Sequence, residues 1–480
     1  MTFVPVSPDD RTAMLAALGV ADVSELWSSI PPELVLDRPL DLPPRLSEME
    51  ARRELARLAA RNVSAATHAS FLGVGAYDHF VPSVVNHLLL RSEFYTAYTP
   101  YQPEVSQGTL QAIYEFQSLI CALTGMEVAN ASVYDGASAL AEAALMAAAI
   151  THRPRLAVSA GVNPAWRDVV ATYRRGRGEP AHEVPLGPDG RTDPAALARA
   201  LGDGPAALLV QSPNWVGVVE DVPAAAEAAR AAGALLVVAA DPFALGVLEA
   251  PGRHGADVVV GEGQGLGNPL SLGGPYLGFL ASRREHIRRM PGRIIGRSVD
   301  AEGRTAYVMV LQTREQHIRR EKATSNLCTN QGLNALAATI YLSAVGRSGF
   351  LAAARACFQG AHYAARRIAA LPGYALAFEA PFFHEFAVRT PVEPSRIARE
   401  GLEAGLLAGI PLDTHPLGRS LPAELEPERL LLVAVTETRT RDEIERLVAL
   451  LARVGGGRTA SAGGRAAPER WRAPAPAGAG

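Results

Sequence analysis

Between about Asn130 and Val260 the chain alternates helical segments with short runs that are almost wholly apolar, namely Arg155 to Ser159, Ala206 to Gln211, Ala234 to Ala240 and Asp257 to Val260. A strand with one wet face carries a polar residue at every second position. Runs without that alternation suit strands covered on both faces. The Ala-rich segments between them suit crossover helices, so the pattern predicts a mainly parallel sheet in a large α/β domain. Ligands of such sheets sit at the carboxyl ends of the strands.

The flanking segments follow other rhythms. Before the alternation, Pro31-Pro32 and Pro43-Pro44 punctuate short amphipathic stretches, with Asp22 placed to cap a turn over Val23 to Trp27 and a surface helix expected over Ser47 to Ala60. After about Arg297 come a charged segment, Arg314 to Lys322, and a long helical region, Gln331 to Leu371. Strands are then expected at Phe383 to Val388 and Arg429 to Val435, and a last amphipathic helix at Asp442 to Val454. This divides the chain into an N-terminal arm or helical layer (1–62), a large α/β domain (63–297), a smaller C-terminal α+β domain (298–454) and a Gly/Ala/Pro/Arg-rich tail (455–480) too poor in apolar periodicity to fold.

Composition narrows the classes of function. A 480-residue chain with 48% apolar residues supports a well-cored globule, and a net charge of -3 gives no long-range pull toward nucleic acid or anionic membrane. The Ala141 to Ile150 run is too short to span a bilayer, and Met1 to Arg11 lacks the pattern of a secretory signal. Cys121, Cys328 and Cys357 have neither the number nor the spacing of a disulfide framework or a zinc site, so a reducing cytoplasm and no metal are expected. Of the 46 basic residues all but Lys322 are arginine. Either codon preference left one lysine by chance, or a compact ammonium is needed where a planar guanidinium does not fit.

Three positions have the chemistry of a cofactor site. Tyr134-Asp135-Gly136-Ala137-Ser138 opens an Ala-rich helix, and the N–H groups of Gly136 and Ser138 with the Ser138 hydroxyl could hold a phosphate or merely cap the helix. Asp241 follows an apolar strand on the ligand side of the sheet. It could pair with a protonated pyridine nitrogen, as pyridoxal phosphate enzymes require, or cap the strand end beside Pro242. Such an enzyme also needs a lysine amine to anchor its cofactor, expected shortly after the next strand. What stands there is Gly261-Glu262-Gly263-Gln264-Gly265-Leu266-Gly267, with no amine; Lys322 is far along the chain, outside the alternation. The residues read as a pyridoxal-type fold, aminotransferase-like, without a working anchor.

Longer motifs add a resemblance. Phe71-Leu72-Gly73-Val74-Gly75-Ala76-Tyr77-Asp78-His79, Tyr95 to Gly108 (with Tyr95, Tyr98, Tyr101, Pro100 and Pro103), Gly273 to Gly278 and Arg320-Glu321-Lys322-Ala323-Thr324-Ser325-Asn326 closely resemble the α subunits of two-subunit glycine dehydrogenase (decarboxylating), the P-protein of the glycine cleavage system. The likeness runs from about Phe71 to Leu447. It implies a type I pyridoxal-phosphate fold in which a separate β subunit carries pyridoxal phosphate on its own lysine, in an α2β2 assembly that decarboxylates glycine and passes the aminomethyl group to lipoylated H-protein. It also places the loop from Tyr95 near the shared site, where Tyr95 and Tyr98 would close the glycine pocket or steady the carboxylate, or else pack at the subunit interface. Gly136, Ser138 and Asp241 would then be remnants of a cofactor site. Two rivals differ in kind: a self-sufficient amino-acid decarboxylase anchored on Lys322, and a purely structural partner of the β subunit.

Overall fold

The computed structural model describes residues 6–36, 38–176, 178 and 181–456. The expected tail, apart from Gly455 and Gly456, lies outside the described residues. The chain separates into two compact units, Met1–Val63 and Ser64–Gly480.

In the first unit, α-helix Pro8–Leu18, 3-10 turns Val23–Trp27 and Pro32–Leu34, and helix α1 (Glu48–Ala59) follow one another. Asp22 caps its turn reciprocally with Glu25, as Ser47 does with Glu50 at the start of α1. None of the described residues of this unit is buried. Local capping, not a core, defines these helices.

The second unit is built on a seven-stranded sheet. After helix α2 (Gln107–Thr124) come β1 (Val128–Ala129), helix α3 (Gly136–Thr151), β2 (Leu156–Ser159), β3 (Ala181–Val184), β4 (Ala207–Ser212), β5 (Leu235–Ala240), β6 (Val258–Glu262) and β7 (Gly278–Ser282). Their order across the sheet is β1-β7-β6-β5-β4-β2-β3. Strands β2 to β6 pair in parallel, and β7 runs antiparallel to both neighbours. The four apolar runs are strands β2, β4, β5 and β6, and their side chains alternate between two cores. Leu208, Val210, Leu236 and Val238 pack with Phe116, Ala335 and Phe350 on one face. Leu209, Val237, Ala239 and Val260 pack against Leu140, Ala143, Met146 and Ala147 of α3 on the other. Both faces are dry, which is why no polar alternation marks these strands.

A hairpin, β8 (Ile294–Val299) with β9 (Thr305–Val310), follows, so the expected boundary at 297–298 falls inside β8. The Gln117 amide of α2 bonds both the N–H and the C=O of Ile295, fixing the hairpin to the helix. Helix α4 (Gly332–Ala369) is long and apolar enough to cross a membrane by length and composition. Its Ala335, Tyr341, Phe350 and Cys357 are instead buried against the sheet, and Ile368 lies in a third core. That third core lies under an antiparallel sheet, β10 (Ala375–Leu376), β11 (Glu385–Arg389), β12 (Ile410–Pro411) and β13 (Leu430–Ala434), in the order β10-β11-β13-β12, together with helix α5 (Arg441–Val454).

The long helical region is not one rod. Gly346, at φ 60° and ψ -178°, interrupts α4 in a conformation essentially reserved for glycine. A methyl group there would meet no atom within 4 Å, so the cost of adding one is conformational, not steric. Gly346→Ala is expected to lose about 1–3 kcal/mol of stability, read as a lower urea midpoint at unchanged m-value; an unchanged midpoint would show that the break is not held.

Candidate functional site

Strands β5 and β6 end side by side, and the residues that follow them, with the Gly73–His79 segment and the start of β11, line a cleft at the carboxyl edge of the sheet. Asp241 stands at the end of β5. Its Oδ1 accepts the Phe243 N–H at 2.8 Å, and its Oδ2 lies 3.3 Å from Nε2 of buried His384. Burial pushes the His384 imidazole down to about 4 against the pull of Asp241, so the ring is neutral near pH 7, and its buried Nδ1 has no hydrogen-bond partner. Beside it, Glu385 accepts the Val74 N–H (2.9 Å) and the Tyr77 hydroxyl (2.8 Å), while burial raises its carboxyl to about 7. A Cβ on Gly73 would stand 2.2 Å from Glu385 Oε1, so the motif needs glycine there for close approach.

One layer deeper, Glu437 accepts from His79 Nδ1 (2.7 Å), from the Phe80 N–H (2.9 Å) and from the Cys357 thiol (3.2 Å). Burial works against its charge, but these donors, His79 first, outweigh it and hold the carboxyl at about 2. His79 also stacks on Phe243, with ring centroids 3.7 Å apart. The group has the donor types of a metal site, yet its own hydrogen bonds satisfy it.

The helix-opening turn is engaged as well. The Ser138 N–H donates to Asp135 Oδ1 at 2.7 Å, and the Gly136 N–H donates to Glu262 Oε2 at 3.0 Å. Glu262, the last residue of β6, also accepts through Oε1 from Gln264 N–H (3.0 Å) and Leu277 N–H (2.9 Å). The cleft has a volume of about 40 Å³, whereas sites for cofactor-sized molecules run to about 300 Å³ and above. With Asp241 turned to His384, the turn filled by carboxylates, and no lysine in Gly261 to Gly267, this cleft does not fit pyridoxal phosphate. Asp241 caps the strand end through Oδ1, which accepts the Phe243 N–H.

Tyr95 and Tyr98 line a different cavity, of about 210 Å³, with Thr99, Ile295, Asn330 and Arg293 among its walls. Tyr95 is 56% exposed and Tyr98 is 87% exposed. Arg293, largely buried, bonds the Cys328 carbonyl (2.9 Å) and Asn330 Oδ1 (3.3 Å), lies 4.0 Å from Glu315, and faces the Tyr101 ring at 5.9 Å. Lys322, on the exposed turn Arg320–Lys322, lines neither cavity. The predicted residues thus divide between the cleft at the carboxyl edge of the sheet, which Asp241 lines and to which Gly136 is tied through Glu262, a helix turn at Ser138, and a separate cavity lined by Tyr95 and Tyr98. Sequence reasoning passed over Glu262, His384, Glu385 and Arg293; the signal available was a lone Glu at the end of an apolar strand, where a charge is costly unless bonded.

A seven-stranded sheet with one antiparallel strand, a cleft at its carboxyl edge and a smaller C-terminal sheet define an α/β protein of the aminotransferase-like, pyridoxal-phosphate type I class. Alanine–glyoxylate aminotransferase from Nostoc sp. shares that fold at 17% identity, with a TM-score of 0.56 over 88% of this chain and 98% of the other. The chain belongs to the glycine cleavage system P-protein family, whose profile matches residues 1–451. It is 53% identical over 451 residues to the probable glycine dehydrogenase (decarboxylating) subunit 1 of Moorella thermoacetica, covering 94% of this chain and 99% of that one. The corresponding protein of Chlorobaculum tepidum is 48% identical over 455 residues, covering 95% and 100%. A crystal structure of glycine decarboxylase (P-protein) of the glycine cleavage system, in inhibitor-bound form, superposes with a TM-score of 0.84 at 42% identity, over 95% of this chain and all of that one.

The depressed Glu437 carboxyl has a consequence for acid stability. Its folded value of about 2 lies below the ordinary 4.5, so its contribution is complete above about pH 4.5 and is lost as pH falls toward 2. Glu437→Gln is expected to melt lower at pH 7, by a stability loss on the order of 3 kcal/mol, and to show a shallower decline than the parent between about pH 5 and 3. Parallel melting curves across that range would contradict the assignment.

Proposed function

We propose that this chain is the non-anchoring α subunit of a two-subunit glycine decarboxylase, and that its open cavity completes an active site whose cofactor sits on the partner. The observation that carries this is the contrast between its two cavities: about 40 Å³ is left beside the chain's own bonded carboxylates in one, against about 210 Å³ in the other, which the exposed Tyr95 and Tyr98 rim. Exposed aromatic side chains around a pocket are what a partner surface would cover. The relatives' designation as subunit 1 supports a second subunit, and α2β2 is the stoichiometry we assign.

On this reading the reaction is loss of CO2 from glycine with passage of the aminomethyl group to the lipoyl disulfide of H-protein, in the cytoplasm. Pyridoxal phosphate bound to the β subunit supplies the electron sink for that decarboxylation. This chain contributes shape and polar contacts. The phenols of Tyr95 and Tyr98 offer hydrogen bonds to the glycine carboxylate, and Arg293 places a fixed guanidinium in the cavity wall. Pro100 and Pro103 stiffen the loop that carries the tyrosines, which lets it exclude water without a large ordering cost.

Glycine–CO2 exchange with lipoylated H-protein tests the assignment. Activity is expected from the mixture of α and β and not from α alone, and exchange by α alone would sink the claim. Within the assembled complex, Tyr95→Phe and Tyr98→Phe each remove one hydrogen bond, worth about 0.5–1.5 kcal/mol, so KM for glycine should rise roughly 2- to 10-fold; unchanged kinetics in both would leave the tyrosines a packing role only. Lys322→Arg should retain full exchange activity, because Lys322 lines neither cavity, and a large loss would revive the lysine-anchored alternative.

A further inference from the structure

Glu262 is placed where a side chain gains nothing from hydrophobic packing and loses its hydration. It ends a strand whose preceding residues, Val258 to Gly261, are buried, and burial raises its carboxyl to about 7. Three backbone N–H groups nevertheless converge on its two oxygens, and they come from three separate segments: Gly136 at the first turn of α3, Gln264 in the loop after β6, and Leu277 at the entry to β7. Backbone N–H groups gathered at a helix N-terminus form a seat for an oxyanion, with the helix dipole adding to the attraction. Here the oxyanion is supplied by the chain.

Glycines shape that seat. A Cβ on Gly136 would stand 2.4 Å from Trp166 and 3.0 Å from the Glu262 nitrogen; one on Gly278 would stand 2.2 Å from the Asp135 carbonyl oxygen, and one on Gly261 2.3 Å from that of Ala240. The backbone can close around the carboxylate only because these positions carry no side chain. Trp166 then covers the Gly136 side of the seat.

We propose that Glu262 is a built-in counterpart of a bound oxyanion: its carboxylate occupies the seat formed by the N–H groups of Gly136 of α3, Gln264 and Leu277, closes the chain's own cleft to phosphate esters, and ties α3 to the end of β6 and the entry to β7. This holds whichever subunit anchors the cofactor, since it concerns only bonds within this chain. Removing the carboxylate leaves three buried N–H donors unpaired and opens a space of its own size and shape.

The test is thermal melting of the full-length chain, with sodium chloride at matched ionic strength as the control. The wild-type protein is expected to melt at the same temperature in sodium acetate as in sodium chloride. Glu262→Ala should melt several degrees lower, and acetate, which replaces the deleted group, should restore part of that loss with saturation. Glu262→Gln keeps the shape but turns an amide toward N–H donors; it should melt below wild type and gain nothing from acetate, because no space has opened. Glu262→Ala melting with the wild type, or acetate raising both proteins equally, would overturn the proposal. Should Glu262→Ala not fold in chloride, recovery of folded protein on refolding in acetate supports it, and Glu262→Gln melting at or above wild type refutes it.

Discussion

Covering a mainly parallel sheet on both faces leaves its polar chemistry one place to go. Strands β4, β5 and β6 carry apolar side chains up and down, so the first positions able to hold a charged group are those at their carboxyl ends. Asp241 and Glu262 stand at two such ends. What differs from a cofactor-binding sheet is how these groups are used: each is directed to partners within the chain, and almost no free space remains between them.

The lid on that edge is made by residues remote in sequence. Tyr77 reaches Glu385 across 308 positions, and the Asp78 carbonyl accepts from Thr436 and Thr438 while its carboxylate pairs with Arg439 at 2.8 Å. The Phe71–His79 motif therefore joins the C-terminal sheet to the large sheet's carboxyl edge. Its glycine at 73 is explained by Glu385 lying where a side chain would otherwise go. Because these bonds are buried and mutually dependent, losing one partner would strand several polar groups at once.

Much of the architecture could be read from local pattern. Four of the five strands of the parallel core, the capped turn at Asp22 and the final helix follow from periodicity and capping residues, which act over a few positions; β3, Ala181–Val184, with three exposed residues, has no such apolar run. The break at Gly346 was not legible, since a glycine inside an apolar helical pattern is usually tolerated as helix and only the backbone shows otherwise. Asp241 stands at a strand end as the pattern places it, while its neighbour His384, more than a hundred residues away, has no local signal in the sequence. Glu262 has no local signal for a chemical reason: a pyridoxal-type anchor requires an amine in this segment, and a carboxylate in its place shows in the sequence only that the amine is missing. The motif around Tyr95 and Tyr98 pointed to an exposed loop, while the Arg293 beneath it had no sequence signal apart from being one arginine among many.

An oxyanion seat filled by a side chain differs from one filled by a ligand in how it responds to concentration. A protein that binds a cofactor only when folded gains stability with the amount available, about 2.7 kcal/mol at a hundred times the dissociation constant, and loses it when supply falls. Glu262 is delivered by the chain itself, so its effective concentration at Gly136, Gln264 and Leu277 is fixed by connectivity. On the proposal above, the stability that this seat lends the folded chain is set by connectivity and neither rises nor falls with the amount of any dissolved oxyanion.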